Sequence, residues 1–176
     1  TAIEEFNRQF GLDRAAFEQY VDWLGGFVTA EWGGSYTARK PEVRPLVLVR
    51  LKNSALLAGA TLLIAIPISL VLGVIAALKQ NSWIDGTISV ASLSVVGLPE
   101  FVSGIVLVNI FALRLGWFQA TSLVTEGQSI VEWIRILILP AITASLVLIG
   151  YLTRMTRAGM VEELTKPYVR TALLKG

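Results

Sequence analysis

The chain contains no histidine and no cysteine. That removes the imidazole base, the thiolate nucleophile and the ligands of most zinc sites. Chemistry therefore has to come from carboxylates, amines and guanidinium groups. One carboxylate stands apart. Glu100, in "VGLPEF" (Val96 to Phe101), is the single charge in an apolar run from Gly86 to Leu113. A carboxylate in a membrane-length run is costly and usually faces a bundle interior or a wet cavity. Two readings are open. Either Glu100 lines a polar path with its neighbours Pro99 and Ser103, or a helix break sets it near the membrane surface, where it is simply hydrated. An intramembrane carboxylate also suits a proton-coupled secondary carrier. Paired carboxylates for acid–base catalysis do not occur within the apolar runs, so a membrane enzyme is the weakest class.

The other charges worth attention cluster near the C-terminal end. Arg154 and Arg157 are three apart and share a helix face at the water boundary. Glu162 and Lys166 are four apart, a pairing distance on a helix. This region also reads as an ordinary solvated helix end. Beyond it lies "KPYVRTALLKG", Lys166 to Gly176. Thr165 is a capping residue, Pro167 is tolerated in a first turn, and Gly176 suits the position just past a helix end. The preceding helix should stop before Pro167. Tyr168, Val169, Ala172 and Leu173 fall on one face, and Lys166 and Arg170 on another. Spacing alone allows a short amphipathic helix on anionic lipid, on plain surface, or docked in a partner's groove.

These residues need elements to hold them, and composition says which. Of 176 residues, 54% are hydrophobic and 16% charged, against about 25% charged in ordinary soluble domains. The net charge of +2 gives no basic patch for nucleic acid. Residues Asn53 to Leu78 carry no charge for 26 residues, more than the roughly 20 that span a bilayer. Pro67 is tolerated there by neighbouring helices, and Gly59, Gly73, Ala76 and Ala77 would let them approach closely. The Gly86–Leu113 run is predicted to kink or break at Gly97 and Pro99. Ile136 to Thr153 is an 18-residue run that just crosses a hydrocarbon core of about 30 Å and continues as a helix through "RMTRAGMVEEL". The expected organisation is thus an N-terminal region over 1–52 and a membrane domain over 53–176, with spans near 53–78, 86–113 and 136–153.

Ahead of the first span, Asp13 is placed to cap a helix whose Phe17, Tyr20, Val21 and Leu24 form an apolar stripe. "EWGGSYTARKPEVRP" is turn-rich. Trp23 and Trp32 suit a membrane interface. The segment holding Trp117 and Trp133 reads as a loop with a short interfacial helix. The chain opens at Thr1 on polar and acidic residues without a signal-like stretch, and reads as an interior piece of a longer chain.

"YVRTALLKG" resembles the cytoplasmic signature loop of binding-protein-dependent ABC importer permeases, in the Arg-Thr-Ala, two residues, Lys-Gly form of the dipeptide, oligopeptide and nickel class. The resemblance extends along most of the chain: "GLD" (11–13), "WGGS" (32–35), "SWID" (82–85), "FALRLGWF" (111–118), "LPAIT" (139–143) and "YLTRMTRAGMVEEL" (151–164) are all similar to that class in order and spacing. Lys52 and Gln119 stand where the class usually has Pro, and Glu100 where a small polar residue is common.

The resemblance implies an all-α polytopic bundle of the type I importer permease kind, with three of six helices in this chain. It implies an inner-membrane permease subunit of an importer for peptides or a similar small solute, not itself an enzyme. No cofactor is expected on this chain, with ATP and Mg bound by partner ATPase subunits. The implied partners are a second permease subunit, cytoplasmic ATPases, a periplasmic or lipid-anchored solute-binding protein and membrane lipid. The implied ATPase contact is a coupling helix of Tyr168, Val169, Arg170, Thr171, Ala172, Leu173, Lys175 and Gly176. Residues 1–52 would be periplasmic or interfacial. The positive-inside count runs the other way: seven Lys and Arg before the first span and two between the second and third, against six elsewhere.

Overall fold

The computed structural model describes residues 2–9, 11–35, 41–122 and 127–175. The chain divides into two compact units, Thr1–Ser54 and Ala55–Gly176. Among the described residues the regular structure is helical, apart from an isolated bridge between Gly34 and Glu42.

In the first unit, α1 is Ala2–Gln9 and α2 is Ala16–Val28. The cap of α2 differs from expectation. Its N-cap is Ala15, which has no side-chain acceptor, so Asp13 does not cap it. The start is held instead by Arg14, which pairs with Asp22 at 2.6 Å and accepts through its carbonyl from Gln19 Nε2 at 2.8 Å. The stripe of Phe17, Tyr20, Val21 and Leu24 forms, and all four side chains are exposed. Trp23 and Phe27 of α2 and Trp32 beyond its end stack with ring centroids 5.6 and 5.8 Å apart. The indole N–H of Trp32 donates to the Phe27 carbonyl at 3.0 Å, which fixes the turn.

Helix α3, Val43–Leu78, begins ten residues ahead of the charge-free run. Pro45 lies in its first turn, where a missing N–H costs nothing. Within the second unit, α4 (Trp83–Gly97) is followed by α5 (Glu100–Leu107), which passes into a π-helical segment, Val108–Arg114. The break between them falls where Gly97 and Pro99 predict it, and the two halves are bent by 99°. Leu98 and Pro99 are extended, with ψ 131° at each; for Leu98 the cause is that proline disfavours the helical region for the residue before it. Helix α6 is Ile130–Leu164 and α7 is Pro167–Leu174. The short interfacial helix expected around Trp133 is absorbed into the first turns of α6. A capping box starts α6 there: the Ser129 hydroxyl accepts from the Glu132 N–H, and the Glu132 carboxylate accepts from the Ser129 N–H at 2.7 Å.

Close approaches fix how these helices run. Asp85 of α4 is bonded to Arg157 of α6. A Cβ on Gly150 of α6 would lie 2.8 Å from the Ser92 carbonyl and 2.7 Å from Val96 Cγ2, and one on Gly104 of α5 would lie 3.3 Å from Thr143 Cγ2. Numbers rise along α4 and α5 as they fall along α6, so the two run antiparallel. Helix α3 runs parallel to α6: Gly73 abuts Thr153 and Thr156, while Leu57 shares a cavity with Ile136 and Leu139. The bent α4–α5 pair therefore carries the chain back along the bundle. Lys79, Asp85 and Arg157 share one end, and Leu57, Gln119 and Ile136 the other.

The core of this unit is built from small residues. Ala65, Ala76, Ala77 and Ala141 are buried with Ser69, Ser145 and Thr153, alongside Ile136 and Leu139. Ser69 and Ser145 satisfy their hydroxyls on the carbonyls three residues back. Small side chains let helix backbones close together, which is how helices associate where no hydrophobic effect separates them from lipid. Gly59, expected in the same role, has nothing within 4 Å of its Cβ position. The outward faces carry Leu63, Val71, Leu78, Val90 and Ile105, all more than half exposed. Two helices, α3 and α6, are each long and apolar enough to cross a membrane, and the bent α4–α5 pair passes the same test when taken as one broken span.

Candidate functional site

Two regions of the second unit place the residues singled out by sequence. The first surrounds Glu100. As the first residue of α5, it sits where exposed N–H groups favour a negative charge. The Val102 N–H bonds to the Pro99 carbonyl at 2.9 Å and closes the turn that aims the helix away from α4. Glu100 lines a cavity of about 320 Å³ together with Gln119, Thr121, Ser122 and Thr143. Of the three residues expected on a polar path, the structure brings only Glu100 to this cavity. Pro99 shapes the break, and Ser103 is half-buried elsewhere on α5.

The second region is the far end of α6. Arg157 does not end a solvated helix. Its Nε and Nη2 donate to the two oxygens of Asp85 at 2.5 and 2.7 Å, and Asp85 is 5% exposed. The same carboxylate accepts from the Asn81 N–H at 3.0 Å and the Ser89 hydroxyl at 3.4 Å. The tight 79–82 turn is thereby tied to α6. Asn81 adopts φ +61°, and the Ser82 hydroxyl donates to the Lys79 carbonyl. The sequence singled out Asp85 only as the last residue of "SWID", 82–85. Its partner, 72 residues away, left no local signal.

Past Arg157, α6 ends at Leu164, ahead of Pro167 as expected. Thr165 does not cap α7. It closes α6, donating its hydroxyl to the Glu162 carbonyl at 2.8 Å, and the N-cap of α7 is Lys166. The ion pair at this joint also differs from the predicted Glu162–Lys166. Lys166 pairs with Glu163, and the Tyr168 hydroxyl donates to the other oxygen of Glu163 at 2.7 Å. A three-residue step across the end of a helix suits a side chain that must reach into the next element, whereas Glu162 lies one position further round. The Glu163 carboxylate holds both the Lys166 ammonium and the Tyr168 phenol above their ordinary pKa values, so both stay protonated at neutral pH. Tyr168 is 60% and Leu174 82% exposed, with Thr171, Ala172 and Lys175 also exposed and Val169 half-buried. The Arg170 and Leu173 side chains and Gly176 lie outside the described residues.

The chain's similarities fit this geometry. Residues 69–176, from mid-α3 through α7, match the family described as binding-protein-dependent transport system inner membrane component. A putative peptide transport system permease protein of Brucella abortus is 37% identical over 175 residues, covering 99% of this chain and 55% of the relative. The oligopeptide transport system permease protein AppB of Bacillus subtilis is 34% identical over 175 residues, with 98% and 55% covered. A probable peptide ABC transporter permease of Sinorhizobium fredii is 28% identical over 174 residues. The chain spans about half the length of these curated relatives.

Proposed function

Because the chain belongs to the family of binding-protein-dependent transport system inner membrane components, we propose that it forms part of the permease of an ATP-driven importer for peptides or a similar small solute, in the bacterial cytoplasmic membrane. The observation that carries this reading is the family match running through the exposed helix α7, joined to the long apolar α6 by a two-residue link. A lever needs a stiff arm and a free contact face, and α6 with α7 supplies both.

In this reading α7 docks on a cytoplasmic ATPase, which binds ATP and Mg. Val169 and Ala172 enter its groove, with Arg170 and Lys175 at the polar rim. ATP shifts the equilibrium between two permease conformations only as far as the ATPase pair binds them differently. The shift reaches α6 through Glu163, Lys166 and Tyr168, and the α3–α4 turn through Arg157 and Asp85. A second permease subunit completes the path, and a periplasmic or lipid-anchored binding protein delivers solute. The path runs by Glu100. The relatives' names describe peptide permeases, and no comparison points to proton coupling through Glu100.

The test is Ala172→Asp in the full-length permease, expressed with its ATPase and binding-protein partners. A carboxylate buried in the docking groove without a partner is costly. ATPase retention on the purified permease should fall at least tenfold and ATP-dependent peptide uptake should be lost, while the permease still reaches the membrane. Full ATPase retention and full uptake would remove α7 from the coupling role.

A further inference from the structure

The cavity beside Glu100 has a chemistry that a general transport path does not require. Most of its wall is apolar, from residues such as Leu57 and Ile136, and its polar groups are Glu100, Gln119, Thr121, Ser122 and Thr143. Glu100 is the one charged side chain among the described residues that line it, so no lysine or arginine of this lining neutralises it. Thr143 already donates its hydroxyl proton to the Leu139 carbonyl at 2.8 Å, so it faces other groups as an acceptor. The Thr121, Ser122 and Gln119 oxygens are further acceptors. A carboxylate and several neutral acceptors, set over an apolar floor, match a group with several N–H donors on an aliphatic stem.

We propose that this cavity is a subsite for a cationic group of the transported solute, an ammonium or guanidinium, and that Glu100 sets a preference for positively charged solutes. The inference rests on the transport reading above and names the solute class at that site. About 320 Å³ holds one side chain and its head group rather than a whole peptide, which suits a site passed in transit. Glu100 is exposed on the cavity wall, so the pairing is weak enough to release. In a peptide the cation is either the N-terminal ammonium or a Lys or Arg side chain. Both offer the same donors, and acetylation separates them.

The experiment uses the complete importer in proteoliposomes, with ATP inside or outside as its orientation requires, and compares wild type with E100Q, E100D and E100K. The probes are labelled tripeptides: Ala-Lys-Ala and Ala-Glu-Ala, each with a free and an acetylated N-terminus, and acetyl-Ala-Ala-Ala. The binding protein imposes its own selectivity, but it is common to all variants and cancels in the comparison. For E100Q, either the uptake ratio of Ala-Lys-Ala to Ala-Glu-Ala (side-chain cation) or that of free to acetylated peptide (N-terminal ammonium) should fall about fivefold, the size of one partly exposed ion pair. E100K should lower the same ratio further, and E100D should keep it. Uptake of acetyl-Ala-Ala-Ala and the ATPase rate should stay level. If the cation read is the side chain, the Lys-to-Glu ratio falls in the acetylated pair as well; if it is the N-terminal ammonium, that ratio holds and E100Q instead lowers the uptake of each free peptide relative to its acetylated form. A Lys-to-Glu ratio and a free-to-acetylated ratio both unmoved in E100Q and E100K, with uptake intact, overturn the subsite alone. A wild-type complex that takes up none of these peptides overturns the transport reading with it.

Discussion

The carboxylate of Asp85 accepts four hydrogen bonds: two from Arg157 and one each from the Asn81 N–H and the Ser89 hydroxyl. It is also the third residue of α4, where negative charge is favoured by the helix end. The two partners are unequally placed. The Asp85 side chain is 7% exposed and that of Arg157 29%, so removing one is not equivalent to removing the other. Arg157→Ala strands a charge with little access to water. Such breaks cost about 3–5 kcal/mol when fully buried, and the remaining bonds to Asn81 and Ser89 bring the expected loss here nearer about 2 kcal/mol. Asp85→Asn leaves a guanidinium that reaches solvent, with an expected loss of about 1 kcal/mol. Thermal midpoints of the purified permease should therefore rank wild type, Asp85→Asn, Arg157→Ala. The reverse order would show that the pair is not what holds the turn. A swapped pair, Asp85→Arg with Arg157→Asp, should recover only part of the loss, because arginine then sits at the positive end of α4. The sequence marks both residues as charged and near apolar runs, but pairing across 72 positions is a property of the antiparallel register. That register was not visible without the bend and the small-residue contacts that set it.

At the scale of elements, local chemistry decided more. The break at Gly97–Pro99 was legible because proline acts on its own neighbours, and so was the end of α6 before Pro167. The Ser129–Glu132 capping box has a clear spacing, yet the loop-like composition around it hid that α6 starts at Ile130. The π-helical Val108–Arg114 segment has no comparable signature, since the extra residue in its turn follows from packing rather than residue type. The small residues of α3 show the same division: Gly73, Ala76 and Ala77 pack, while Gly59 lies open. Composition announces a close-packing helix without saying which side packs. At Gly150 the contact leaves no space even for a methyl, because one of the obstructing atoms, the Ser92 carbonyl, is backbone. Gly150→Ala should then separate α4 from α6 and lower stability by about 1–3 kcal/mol, the cost of overpacking a closed contact, read as an earlier melting of the detergent-purified permease. An unchanged midpoint would mean that α4 and α6 do not close here. Gly150→Leu should be worse still and should lower the amount of permease recovered from the membrane.

Across the whole second unit, the bend of 99° between α4 and α5 leaves the chain one of two courses through a membrane. A re-entrant segment would bring Arg114 back to the side from which α4 started. A broken span would deliver it to the opposite side. The contacts favour the crossing. Gly150 and then Thr143 of α6 meet successive levels of α4 and α5, and Gln119 shares a cavity with Leu57 and Ile136 at the end away from Asp85. Lys79 thus shares an end with Arg157, and residues past Arg114 lie at the other. If α7 engages a cytoplasmic ATPase as proposed, Lys79 would face the cytoplasm and Arg114 the periplasm. The charge count alone favours the opposite orientation, but that rule reads short flanking loops of a chain, and the residues concerned include a long region ahead of α3. The 176 residues contain no cysteine, so in a permease freed of any cysteine elsewhere, single cysteines at Lys79 and Arg114, both exposed, each report their own side. In intact spheroplasts a membrane-impermeant maleimide should label Arg114→Cys and spare Lys79→Cys until the membrane is opened. Equal labelling of both would make α4 and α5 a re-entrant loop. Labelling of Lys79→Cys alone would invert the bundle and carry α7 away from any cytoplasmic ATPase, so this measurement bears on the coupling role as directly as on the path of the chain.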